Sequence, residues 1–200
     1  MTEISRRDTA LILARGDSRR MGQPKGLCIA DDDQRPLLAR IVDLHDAAGH
    51  PTTVVTVADL VDSYEAGLDD RRVSWLILEA GGDTARTVLA GVRALACRTT
   101  HLWLHPVDLP RVAPATLELL AELSEQHPDS VIIPEYDGVP GHPVVLPVRP
   151  IEAPWPADAP GPMRVLLNEG PCPVISVACE DPGIIDDLDT PEDLGGVEDS

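Results

Sequence analysis

Short apolar runs rich in β-branched residues alternate with longer segments whose apolar residues recur at helical spacing, and this alternation constrains the fold more than any other feature. Strands are predicted at Thr9–Ala14, Thr52–Val57, Val73–Leu78 and His101–Val107. Helices are predicted from Pro36 to Gly49 and over Asp59–Leu68, Thr84–Cys97 and Ala115–Gln126. Parallel neighbours need a crossover of a dozen or more residues, so strand–helix repetition implies a mainly parallel sheet covered by helices on both faces. That is a Rossmann-like three-layer α/β/α arrangement. The pattern changes in the C-terminal third, where Val131–Pro134 and Val144–Pro147 flank the turn-rich EYDGVPGHP segment. Strands joined so tightly cannot be parallel, which predicts an antiparallel excursion at the sheet edge. Pro162–Gly170 is read as a short helix and Val174–Val177 as a last strand. No repeat or long linker divides the chain, so one domain over residues 1–200 is expected, with a core at 8–195 and a frayed tail at 196–200.

A length of 200 residues and 43% hydrophobic content suffice for a globular core. No apolar run reaches the 18 or more residues of a membrane span, and the opening MTEISRRDTA lacks the apolar centre of a signal peptide, so a cytoplasmic protein is expected. The formal net charge of −18 argues against nucleic acid and anionic membranes as partners, both of which need a basic surface. Cys28, Cys97, Cys172 and Cys179 form no CxxC pair and read as buried thiols.

Chemistry concentrates at the first strand, where the apolar run ends in Gly16, Ser18, Gly22 and a Gln-Pro-Lys turn. Backbone N–H groups of such a loop can surround phosphate oxygens, and Lys25, the only lysine in the chain, offers a compact ammonium for a point contact. The alternative is a glycine-rich surface turn. Gly16 and Gly22 lie too far apart for a Walker-type loop, and no GxGxxG fingerprint follows. In open α/β sheets ligands bind beyond the carboxyl ends of strands, and Asp108 emerges there, before a Leu-Pro turn. It can be a ligand or a turn aspartate. Near the end of the chain, Thr190, Pro191 and Asp193 read as a helix start with a capping box. That leaves Asp187 and Asp189, which flank Leu188 on an extended segment and project to one side.

Leu13, Ala14, Gly16, Ser18, Arg20, Met21, Gly22 and Lys25 resemble the L-A-A/G-G-x-S-x-R-M-G-x-x-K signature of the MobA-like nucleotidyltransferases. Arg15 departs from it, standing where that family has a small residue near the base. The likeness extends to Asp108-Leu109-Pro110, to Gly141-His142-Pro143, to the AGGDTART loop and to the D-x-D-T-P-E-D-L ending. It implies a single-domain nucleotidyltransferase fold with Lys25, Arg20 and Asp108 as the catalytic set. Nucleotide binding would fall to Leu13, Ala14, Arg15, Gly16, Ser18, Arg20, Met21, Gly22 and Lys25, joined by Asp83 and Thr84. The resemblance puts Mg2+ on Asp108 and Asp189, with Asp187 as a further candidate, and the acceptor on Gly141, His142 and Pro143; His142 can also simply satisfy a turn. A cation is also required on physical grounds, since two carboxylates about 4 Å apart repel by on the order of 4 kcal/mol at an effective dielectric of 20.

The implied reaction is attack of an acceptor phosphate oxygen on the α-phosphorus of a nucleoside triphosphate, with pyrophosphate leaving. The likeness is greatest to the molybdenum cofactor cytidylyltransferase branch, which favours CTP as donor and molybdopterin cofactor as acceptor. GTP, or a sugar phosphate or other phosphorylated acceptor, are the alternatives, because Lys25-Gly26-Leu27 looks like the guanylyl branch. A reading of another class is a non-catalytic protein that delivers a cofactor to a molybdoenzyme partner. The apolar helix faces are compatible with a homodimer.

Overall fold

The computed structural model describes residues 8–16, 21–30, 33–81, 84–149 and 172–195. In chain order their elements are β1 (Asp8–Leu13), β2 (Ile29–Ala30), β3 (Asp33–Pro36), α1 (Leu37–Ala47), β4 (Thr52–Thr56), α2 (Val61–Leu68) and β5 (Ser74–Ile77). There follow α3 (Thr84–Leu95), β6 (His101–Pro106), α4 (Pro114–Gln126), β7 (Val131–Tyr136), β8 (Val139–Pro140), β9 (Val144–Pro147) and β10 (Val174–Ala178). Single 3-10 turns lie at Lys25–Leu27, Ala58–Leu60, Pro182–Ile184 and Glu192–Leu194. The main sheet runs β10-β7-β9-β6-β1-β4-β5, with β8 beside β7, and β2 pairs only with β3.

Side chains alternate across each strand, and the alternation sorts the core into two layers. Leu11, Val55, Leu102, Leu104, Val131, Ile133 and Val144 face α3 through Val88, Leu89 and Val92. Ile12 and Val54 face α1 and α2, and Trp103, Ile132 and Val145 face Leu117 and Leu120 of α4. Helices therefore cover both faces of a mainly parallel sheet. Among the described residues, no helix is long and apolar enough to cross a membrane.

The antiparallel excursion is present, but it lies inside the sheet and not at its edge. β9 runs antiparallel to both β6 and β7. The crossover from β6 through α4 sets β7 down with a gap of one strand between them, and β9 fills it. The chain reverses at Asp137 and Gly138, both at positive φ (49° and 80°), the mirror-image turn that suits a two-residue hairpin. Pairing of Glu135 and Tyr136 with β8 extends β7 beyond the predicted Pro134. The β2–β3 ladder was not predicted. The predicted Pro162–Gly170 helix and the 196–200 tail lie outside the described residues.

Candidate functional site

β1 and β6 are parallel neighbours in which Leu13 is opposite Pro106, so the loops that leave them emerge side by side at the carboxyl edge. The first carries Lys25. Its 3-10 turn is closed by Leu27 N donating to Pro24 O at 2.9 Å and Cys28 N to Lys25 O at 3.0 Å. Gly26 sits directly on the Tyr64 ring, where an added Cβ would lie 2.7 Å from Tyr64 Cε1. The Tyr64 hydroxyl donates in turn to Ala14 O at 3.3 Å, which also accepts from Thr56 Oγ1 at 3.0 Å. The end of β1 and the lysine turn are thus fixed to α2 and β4.

The second loop carries Asp108, whose carbonyl accepts from Leu188 N at 2.9 Å. That bond joins it to the segment after β10, which is docked at several points. Buried Asp181 accepts from Ala113 N (2.8 Å), Thr116 Oγ1 (2.6 Å) and Gly183 N (2.9 Å). Gly183 lies against the Arg111 carbonyl, where a Cβ would approach to 2.2 Å. Ile184 O accepts from His142 N at 3.0 Å, and Arg111 pairs with Asp186 at 2.8 Å. Leu188 then packs with Cys28, Ala30 and Leu37, with Met21 and Leu194 against them.

This packing brings Asp189 to Lys25. The Lys25 ammonium donates to Asp108 Oδ2 at 3.0 Å and also to Asp189 Oδ1. Burial alone would lower the lysine pKa, but the hydrogen bonds it donates to Asp189 and Asp108, together with the attraction of the two carboxylate charges, outweigh burial and hold the pKa above its ordinary value. Two carboxylates that share one cation form a hard, anionic oxygen pair. That donor set fits a divalent ion whose remaining ligands come from phosphate and water. Among the described residues, no group of three or more His, Cys, Asp or Glu side chains could hold a metal, and Asp187 is exposed, so the three-aspartate set is not assembled here.

The remaining predicted residues divide. Leu13 packs into the core, Ala14 is buried, and Gly16 and Gly22 are exposed in the loop, Gly22 at φ 67°. Thr84 is exposed at the start of α3. Arg15 reaches across to that region, donating to the carbonyls of Glu79 and Gly81 and to the Thr87 hydroxyl. Thr87 closes the AGGDTART stretch, but Asp83 and Thr84 are its candidates, and Thr87 reads as one more residue on the buried face of a helix. Gly141 is required by packing, because a Cβ there would lie 2.6 Å from Ile184 O. His142 Nδ1 donates to Leu104 O at 3.2 Å, and burial lowers its pKa while Asp108 acts to raise it. Only the returning half of the capping box forms: Thr190 N donates to Asp193 Oδ2 at 2.7 Å, while Asp193 N bonds the Thr190 backbone carbonyl and not its hydroxyl, and Pro191 caps the single 3-10 turn Glu192–Leu194. Ser18, Arg20 and Asp83 lie outside the described residues.

The profile of the MobA-like NTP transferase domain matches residues 10–170. No curated protein sequence matches the chain. Among solved structures, the manganese complex of Rv0371C from Mycobacterium tuberculosis H37Rv is 23% identical, with a TM-score of 0.66 over 87% of this chain and 88% of that one. Molybdopterin-guanine dinucleotide biosynthesis protein A from Archaeoglobus fulgidus is 18% identical, with a TM-score of 0.63 over 94% and 95%. The 4-diphosphocytidyl-2C-methyl-D-erythritol synthase of Anaerococcus prevotii is 15% identical, with a TM-score of 0.69 over 94% and 93%. At these identities the likeness to the three is one of fold.

Proposed function

Starting from a chain that belongs to the MobA-like NTP transferase domain family and is a nucleotidyltransferase, we propose that it transfers CMP from CTP to molybdopterin cofactor and releases pyrophosphate. The observation that carries this reading is the Lys25 ammonium shared by Asp108 and Asp189 at the carboxyl edge of the sheet, beside the glycine loop. Asp108 and Asp189 would hold Mg2+. When bound, that ion supplies charge neutralisation at phosphate oxygens. Lys25, released from its carboxylates, contacts the phosphate chain, and the loop amides with Arg20 hold the β- and γ-phosphates. No covalent enzyme intermediate is required, because positioning the acceptor oxygen in line with the α-phosphorus and stabilising the leaving charge suffice. Gly141, His142 and Pro143 place the acceptor beside Asp108.

Cytidyl transfer is favoured by the Gly-His-Pro segment and the D-x-D-T-P ending. Guanylyl transfer and a different phosphorylated acceptor are the nearest alternatives, and the neighbouring folds include named proteins of both base classes. One observation favours delivery without catalysis: the Arg15 guanidinium occupies the Glu79 and Gly81 carbonyls and the Thr87 hydroxyl, groups that a base would otherwise use. The test is magnesium-dependent pyrophosphate release with each of the four ribonucleoside triphosphates, with and without molybdopterin cofactor. Cofactor-dependent release with CTP, lost in Asp108→Ala, supports the proposal. Cofactor binding without release from any triphosphate refutes it in favour of delivery.

A further inference from the structure

Three histidines that the proposed reaction does not use form a continuous chain behind the Asp108 turn. His45, on the last turn of α1, and His105, in β6, are both 0% exposed, and His50, just after α1, is 9% exposed. His50 Nδ1 lies 3.2 Å from His45 Nδ1, His45 Nε2 lies 3.0 Å from His105 Nδ1, and His105 Nε2 lies 2.9 Å from Leu109 O. Trp103 packs over the first ring, its centroid 4.4 Å from that of His50. His105 and Trp103 share a strand face by the period of two, which is why both meet α1.

The far end of the chain decides every proton in it. A carbonyl oxygen only accepts, so His105 carries its proton on Nε2 and presents a lone pair at Nδ1. His45 must then donate from Nε2 and accept at Nδ1, and His50 must donate from Nδ1. One set of tautomers satisfies all three contacts with all three rings neutral. Because the chain ends on a carbonyl, which does not take up a proton near neutral pH, it cannot conduct protons. Its effect is on geometry. Leu109 closes the turn from Pro106 that carries Asp108, through a long 3.3 Å bond from Leu109 N to Pro106 O. The turn is therefore weakly closed by its own backbone and held at Leu109 O by the histidines.

We infer that His45 and His105 are positioning residues, which fix the Leu109 carbonyl and through it the carboxylate of Asp108 for a divalent cation. This rests on the reading of Asp108 as a metal ligand. Groups that orient a ligand from behind typically contribute ten- to a hundredfold in metal affinity.

The test compares His45→Met, which keeps the volume and removes the donor, with His45→Gln, which keeps a donor toward His105. Mn2+ affinity is read by electron paramagnetic resonance, the Asp108 and Leu109 amides by NMR, and imidazole tautomers by 15N shifts. The expected result is a roughly tenfold or greater loss of Mn2+ affinity with displaced Asp108 and Leu109 amides in His45→Met, largely recovered in His45→Gln. Wild-type affinity and amide shifts in both variants overturn the inference, as does equal impairment of both, which is what space-filling alone would give. If His45→Met does not fold, the wild-type spectrum decides, since a proton on His105 Nδ1 or an imidazolium at either ring at pH 7.5 overturns the chain. A wild-type protein that binds no Mn2+ removes the metal reading separately, and the positioning role is then judged on the amide shifts.

Discussion

Replacing Lys25 by methionine keeps most of the side-chain stem and removes the ammonium that Asp108 and Asp189 share. The two carboxylates would then face each other with no cation between them. At about 4 Å their repulsion is about 4 kcal/mol at an effective dielectric of 20 and about 1 kcal/mol in water. Their side chains are 27% and 43% exposed, so solvent screens the pair and the lower half of that range applies. We expect the metal-free variant to be destabilised by about 1–2 kcal/mol, a fall in Tm of roughly 2–8 °C for a chain of this size. A cation placed between the carboxylates restores what the ammonium supplied. Millimolar Mn2+ should therefore raise the Tm of Lys25→Met by more than it raises that of the wild type, while pyrophosphate release falls by about a hundredfold or more. Thermal unfolding by circular dichroism, with and without Mn2+, reads both effects. A variant at least as stable as the wild type, with no greater response to metal, would refute the reasoning, because Asp108 and Asp189 would then not be a mutually repelling pair.

Other outcomes follow from single contacts. In Gly16→Ala nothing lies within 4 Å of the added Cβ, so unfolding stability should stay within about 0.5 kcal/mol of the wild type while triphosphate binding, measured calorimetrically, weakens as the methyl blocks the approach of phosphate. Gly183→Ala drives a Cβ into the Arg111 carbonyl at 2.2 Å, and urea titration should show a loss of about 1–3 kcal/mol together with weaker Mn2+ binding, since this glycine docks the arm bearing Asp189. Burial holds His45 well below the ordinary imidazole range and His105 at about 4, against an unperturbed 6.5. The unfolded chain takes up these protons below that ordinary value and the folded chain does not, so stability present above pH 6.5 is lost as pH falls toward 4. His105 alone should account for about 2 kcal/mol between pH 7.5 and 5, and an undiminished fall in His105→Gln by urea titration would count against it.

The alternation of strands and helices could be read because two periodicities, near two and near 3.6, leave separate marks on the same chain. What could not be read depends on partners remote in sequence. The slot that β9 fills exists only because β7 is set down away from β6, and no property of Val144–Pro147 states which strands will flank it. The β2–β3 ladder is two and four residues long, and β3 is the polar run Asp33–Pro36, which carries no apolar alternation. At the site, Lys25 and Asp108 were legible as neighbours, since each follows a strand and ligands gather at carboxyl ends. Asp189 was joined to them only through the family resemblance, because its place depends on Asp181, Gly183 and Leu188 docking a segment more than seventy residues from Asp108 in sequence. His45 and His105 were invisible for a simpler reason: each occupies an inward position among buried apolar residues of its element, and only the distances between rings reveal that the polarity is spent within the chain.

On the proposed reading, Asp108 and Asp189 hold the ion that accompanies the triphosphate, and Asp187 does not. Mn2+ binding in the presence of CTP, followed by electron paramagnetic resonance in the wild type and in Asp108→Asn, Asp189→Asn and Asp187→Asn, tests it directly. The account expects affinity to fall by roughly tenfold or more in the first two variants and to stay at the wild-type value in the third. Wild-type affinity in Asp108→Asn, or a loss confined to Asp187→Asn, would contradict it.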